Sequence, residues 1–160
     1  MGFALLSPVR GAESSMIENL KSQDVAIANN AALQLYKLKW SSIPKLLEIA
    51  GDKDQFYGDI ATNPFVSPKT LDEFKSPTVG VMALYLIEAI LRNDLFFSCS
   101  PNLGWREARE KKVSREKAQD RALILYQNWW AEYKNLKVSP TVYPLDRANI
   151  EWIDRIKPKN

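Results

Sequence analysis

Thr78-Val79-Gly80-Val81-Met82-Ala83-Leu84-Tyr85-Leu86-Ile87-Glu88-Ala89-Ile90-Leu91-Arg92 places apolar side chains on nearly every side of a helix. A helix with one face in water carries a polar stripe, and a helix without one is packed by neighbours all round. The run falls short of the roughly 20 apolar residues that span a bilayer, and Gly80 and Glu88 interrupt it. It therefore reads as the central helix of a compact, soluble domain. Glu88 lies in the middle of it. A carboxylate taken out of water must be protonated, paired or hydrogen-bonded. Pairing to a buried Tyr or Arg is the expected solution, and a catalytic acid is the sharper alternative.

On the N-terminal side, Asp24 is placed to accept from the free amides of a helix running to about Lys39. Its stripe holds Val25, Ala28, Ala32 and Leu35, with Ala31 and Leu38 beside it, small enough for a close neighbour. Ser14-Ser15 is expected to cap a short helix before it. Ser42 is expected to cap a third, with Pro44 in its first turn, Ile43, Leu46, Leu47 and Ala50 inward, and Gly51 at its end. Residues 52–76 and 93–112 read as long loops rich in Pro, Gly and aromatic residues. The longest helix is expected from about Val113 to Lys134, inward through Ala118, Ala122, Leu125, Tyr126, Trp129, Trp130 and Tyr133. Asp146 is expected to cap a last helix carrying Ile150, Ile153 and Ile156. No segment sustains a period of two, so no sheet is expected. The domain organisation expected is a frayed segment at 1–13, one helical domain over 14–157 and a tail at 158–160.

Composition narrows the chemistry. The 160 residues hold 22 basic and 19 acidic side chains for a net charge of +3, so attraction to a polyanion would need local clustering. The single cysteine, Cys99, allows no intrachain disulfide or thiolate cage. Histidine is absent, which removes the usual general base, the Ser-His and Cys-His pairs, and the imidazole ligands of most zinc sites. No catalytic residues, metal ligands or cofactor are expected. The start, Met1 to Glu13, lacks the basic and apolar regions of an intact signal peptide. The expected location is the cytoplasm, or outside it if residues 1–12 are the remnant of such a peptide.

One internal register stands out. An offset of 52 residues superimposes Ile27 on Val79, Ala31 on Ala83, Leu35 on Ile87 and Leu38 on Ile90, with Asp24 and Ser76 at matching cap positions. Asp24, Ile27, Ala31, Ala32 and Leu35, followed by Ile43-Pro44, Leu46-Leu47, Ala50 and Asp52, resemble one repeat of the bacterial HEAT-like family. The match covers about 30 residues, and the second copy matches in its first helix only. The family's frequent arginine is replaced by Ala28 and Gly80, and the period exceeds the roughly 40 to 47 residues of regular HEAT arrays. The resemblance implies an all-α, irregular superhelical array and a role in binding other macromolecules rather than in a reaction.

The expected function is accordingly a non-catalytic interaction module with a protein partner, its loops presenting Phe56, Tyr57, Trp105, Arg106 and Arg109. Loop aromatics either plug the core or form a contact patch, and sequence leaves both open for these residues. Acidic side chains alternate with basic ones from Arg106 to Arg121, which is the pattern of a solvated face; a nucleic-acid groove gathers one sign. Nucleic-acid binding and a carboxylate-dependent enzyme built on Glu88 are the alternatives. The former is testable by salt-dependent binding, the latter by whether Glu88 lines an open cleft.

Overall fold

The structure, a computed structural model, describes residues 9–60, 76–98, 100–105, 115–136, 141–146 and 148–152. In order they form α1 (Val9–Leu20), α2 (Val25–Lys37), a 3-10 turn (Lys39–Ser42), α3 (Ile43–Ile49), α4 (Val79–Arg92), β1 (Leu103–Trp105), α5 (Arg115–Tyr133) and β2 (Ile150–Trp152). The chain is thus mostly helical. Helix α4 is the centre: every residue from Val79 to Leu91 is buried. Helix α1 packs on α2, while α2, α3 and α5 each pack on α4. No described helix is long and apolar enough to cross a membrane.

Local chemistry explains most of the boundaries. The Asp24 carboxylate accepts from the Ala26 and Ile27 amides at 2.9 and 3.1 Å, as its position predicts. Ala28, Ala31, Ala32 and Leu35 are buried, whereas Val25, expected on the same stripe, is half exposed at the open end of the helix. Thr78, rather than Ser76, caps α4 by accepting from Val81 N–H at 3.1 Å. Ser42 caps nothing. The 3-10 turn runs directly into α3, so its hydroxyl is instead shared between the Leu35 and Lys39 carbonyls at 2.9 Å.

Three further expectations are corrected. Helix α1 begins at Val9, so part of the segment expected to fray is helical and Ser14-Ser15 lies inside the helix. A small antiparallel sheet exists, pairing Leu103 with Trp152, Gly104 with Glu151 and Trp105 with Ile150. Strands of three residues are too short for alternation to show in sequence. Ile150 accordingly sits in a strand and not in an Asp146-capped helix, while Ile153 and Ile156 lie outside the described residues.

A second joint fixes α3, α4 and α5 together. The end of a helix leaves carbonyls without partners, and the start of another leaves amides without them. Here the loop that follows α3 answers the amides of α4: Gly80 N–H donates to Asp52 O at 3.1 Å and Val79 N–H to Asp54 O at 2.7 Å. The buried Gln119 amide of α5 donates to the Ala50 and Asp52 carbonyls, both at 2.9 Å, and accepts from the Thr78 hydroxyl at 2.9 Å. A Cβ on Gly80 would run into Gln119 Nε2 and the Ala50 carbonyl and lie 2.7 Å from Asp52 O. Two of those atoms are backbone and have no room to move. Gly80→Ala should therefore cost about 1–3 kcal/mol in urea unfolding. Gly51→Ala, whose Cβ meets only Leu123 at 3.6 Å, should stay within about 0.5 kcal/mol of wild type.

Candidate protein-binding surface

Glu88 has no exposed surface, and both its oxygens are engaged. Oε1 accepts from Arg92 Nε at 2.8 Å and pairs with Nη2 at 2.7 Å, one helical turn along α4. Oε2 accepts from the Tyr126 hydroxyl of α5 at 2.6 Å, and Tyr126 in turn accepts from the Trp152 indole of β2 at 3.1 Å. The relay Trp152 to Tyr126 to Glu88 thus ties a central helix, its neighbour and the last described strand through one carboxylate. Burial pushes the Glu88 carboxyl above its ordinary range, against the opposing pull of Tyr126 and Arg92. Burial and the adjacent carboxylate push Tyr126 far up as well. The pairing expected from sequence is what the fold uses. Among the described residues the carboxylate is enclosed and lines no open cleft.

Aromatic rings seal this network. The Arg92 guanidinium lies 4.0 Å from the Tyr143 ring centre and 5.4 Å from that of Phe97. Phe97 stacks on Tyr85 at 4.6 Å, and Trp152 meets both edge-on at 5.8 and 5.4 Å. Tyr85 and Trp152 are buried, while Phe97 and Tyr143 are partly covered and Arg92 reaches the surface.

Of the residues singled out from sequence, the described ones, Phe56, Tyr57 and Trp105, form no shared exposed surface. Phe56 is a correction: Gln55 bridges to Thr78 and Phe56 N–H donates to Pro77 O at 2.9 Å, which folds the ring into the core. Tyr57, next to it, is exposed. Trp105 stands half buried in β1 opposite Ile150, its indole N–H enclosed with no hydrogen-bond partner among the described residues. Arg106 and Arg109, with Phe65, Asp72 and Glu73, lie outside the described residues. Of the other loop aromatics, Phe96 is exposed and Phe97 half buried, so the loops supply both plugs and surface. Asp52 is held below the ordinary carboxylate range: burial pushes it up, and the Lys21 ion pair at 2.8 Å and the Asp54 amide outweigh that. Among the described residues no cluster of acidic or cysteine side chains is arranged to hold a metal.

A different set of described rings forms a half-open aromatic assembly. Trp40, in the 3-10 turn, lies 5.6 Å from Trp130 and 6.1 Å from Trp129, and Trp129 stacks on Tyr133 at 5.1 Å and 11°. Trp129 is buried and anchored, its indole donating to Val142 O at 2.8 Å. Trp40, Trp130 and Tyr133 are only partly covered. Trp40 is delivered by a left-handed residue, Lys39 at φ 55, whose ammonium sits 4.0 Å over the Tyr36 ring and donates to Asn93 Oδ1 at 2.8 Å. A non-glycine residue in that region persists where its surroundings enforce it. The sequence places Trp129, Trp130 and Tyr133 inward; the structure buries Trp129 but leaves Trp130 and Tyr133 partly exposed, and nothing in sequence attaches Trp40 to them. A separate cleft of about 70 Å³ between Thr78, Leu103 and Gln119 has room for a few waters.

A mostly helical domain with a small two-stranded sheet, its buried carboxylate committed to packing, is the class these features define. The chain belongs to the family described as a domain of unknown function (DUF4943), whose model matches residues 12–153. Comparison with curated proteins and with solved structures finds no match.

The Glu88 network generates a pH prediction. With its pKa raised in the fold, the native state holds the proton more tightly than the unfolded chain does. That contribution is complete below the ordinary carboxylate range and is lost as pH rises through the raised value. Stability measured by urea midpoint should fall along that window for wild type, and Glu88→Gln should remove that slope. Glu88→Ala, which strands the Tyr126 hydroxyl and the Arg92 head, should cost about 3 kcal/mol or more.

Proposed function

We propose that this domain is a non-catalytic helical module that binds another protein, and that Trp40, Trp130 and Tyr133 form its contact face. The observation that carries the reading is the half-open state of these rings. Large aromatic side chains are normally buried for their area, and clusters of Trp and Tyr left partly in water are the composition of binding hot spots. The face is also rigid. Trp129 beneath it is tied to Val142, and α5 is fixed along its length by Gln119 and Tyr126.

The HEAT-like reading of the fold belongs to the same proposal. It is supported by Ala31 and Leu35 of α2 and Ala83 and Ile87 of α4, which match at the 52-residue offset and are buried, whereas of the other two pairs Ile27 is exposed where Val79 is buried and Leu38 is half buried where Ile90 is buried. Irregular stacking of such helices leaves outer faces and turns as binding surface. The partner of such a face engages rings, not a reacting group.

The test is comparative affinity capture from the source cell with wild type, Trp130→Ser and Tyr57→Ser. Proteins retained by wild type should fall about tenfold with Trp130→Ser and persist with Tyr57→Ser, while both variants keep cooperative unfolding. Equal capture by all three would remove this face from the account.

A further inference from the structure

We infer that Glu88 and Arg92 form a pH-operated switch: when Glu88 takes up a proton, the Arg92 guanidinium leaves it for the Asp146 carboxylate and resets the strap of residues 141–146. The argument begins with the donors around Glu88. Arg92 Nε and Nη2 meet Oε1 at 2.8 and 2.7 Å, and the Tyr126 hydroxyl meets Oε2 at 2.6 Å. All three groups donate, and an ionised carboxylate only accepts. The hydroxyl contact also has the length of a bond to a charged oxygen. The arrangement is therefore that of the ionised form. A proton on Glu88 adds a further donor to a site with no exposed surface. The acceptor in its reach is Tyr126 Oη, so the short bond must reverse, and Arg92 is left facing a neutral group.

Arg92 has a second carboxylate to turn to. Its side chain is 35% exposed, and on its outer side lies the strap. Tyr143 sets its ring 4.0 Å from the guanidinium, and Tyr143 N–H donates to Oδ2 of the exposed Asp146 at 2.9 Å, which leaves Oδ1 for the cation. Against the pull of burial, Glu88 and, more weakly, Asp146 keep Arg92 charged. A bond to a charged acceptor is roughly twice as strong as one to a neutral acceptor, so protonating Glu88 tips Arg92 outward. The titratable and charged groups acting on Glu88 are Tyr126 on α5, Arg92 on its own helix and Asp146 on the strap. The buried residues of α2 and α3 are apolar. Burial, with a smaller push from Asp146, sets proton uptake above the ordinary carboxylate range. The output is mechanical. As Arg92 turns, Tyr143 must re-seat, and the neighbouring Val142 carbonyl, which holds the Trp129 indole at 2.8 Å, moves with it. A charge change at one buried carboxylate thus reaches the underside of the Trp40 ring, 6.1 Å from Trp129.

The experiment uses the full chain, labelled with carbon-13 and nitrogen-15 and titrated by NMR from about pH 8 to about pH 4, which spans the ordinary carboxylate range and the region above it. It follows the Glu88 and Asp146 carboxyl carbons, the Trp129 indole N–H, and Arg92 Nε–H, identified by its loss in Arg92→Lys. In wild type, Glu88, Arg92 and Trp129 should change with one midpoint, above the ordinary glutamate value and distinct from that of Asp146. Exchange of Arg92 Nε–H, corrected for the intrinsic effect of pH, should rise about tenfold below that midpoint as a charge-assisted bond is given up. Glu88→Gln, neutral at every pH, should hold Arg92 and Trp129 at their acid positions throughout. Asp146→Asn, a surface change, should let Glu88 titrate while Trp129 stays still. Cooperative urea unfolding at both ends of the range verifies that each variant is folded, and if Glu88→Gln is not, wild type and Asp146→Asn decide alone. The switch is overturned if Glu88 titrates while Arg92 Nε–H stays protected, if Trp129 follows the Asp146 midpoint, if Trp129 moves equally in Asp146→Asn, if Glu88→Gln keeps the alkaline positions, or if Glu88 does not titrate in this range. None of these readings depends on a partner protein.

Discussion

The fold depends on one buried carboxylate. Placing Glu88 at the centre of a helix enclosed on all sides carries a desolvation cost of several kcal/mol, which only full satisfaction of both oxygens offsets. That requirement dictates the neighbours. Arg92 must lie one turn along the same helix, Tyr126 must face it from α5, and Trp152 must reach Tyr126 from β2. The consequences spread outward: with Arg92 fixed, Tyr143 and Phe97 cover its faces, and with Trp152 fixed, β2 is held in register against β1. Three elements far apart in sequence are joined by a chain of two hydrogen bonds.

The joint around Gly80 completes the frame from the other end of α4. There carbonyls of the loop after α3 accept from the free amides of α4, and the Gln119 amide donates to the Ala50 and Asp52 carbonyls. Helix α5 is therefore fixed twice, at Gln119 and at Tyr126, two turns apart along one side. Its last turns follow rigidly, which carries Trp129, Trp130 and Tyr133 to Trp40. The aromatic face is thus set by interactions buried well away from it.

Much of this was legible in the sequence, and the limits have physical causes. Helix α4, its enclosure and the need to pair Glu88 followed from local composition, as did the Asp24 cap. The sequence names the partners of Glu88 only by type: Tyr126 lies 38 positions away and only the fold brings it near, whereas Arg92 stands one turn along the same helix. Ser42 and Ser76 look like caps by residue type, yet capping depends on backbone entering the helix from an extended conformation, which Thr78 has and Ser42 lacks. Phe56 and Tyr57 are adjacent and chemically alike, and one is core while the other is surface; the difference is the pairing of the loop with Pro77 and Thr78. Trp40 gave no signal because its role depends on a left-handed turn at lysine, a residue type that does not announce one.

Hydrogen exchange of the Trp152 indole proton tests the central claim most directly. If Glu88 binds α4, α5 and β2 into one cooperative unit, that proton exchanges only when the domain unfolds, with the same free energy as the slowest α4 amides and the same denaturant dependence. Exchange of Trp152 at a much lower free energy, insensitive to denaturant while α4 stays protected, would show that β2 opens alone and would contradict the account.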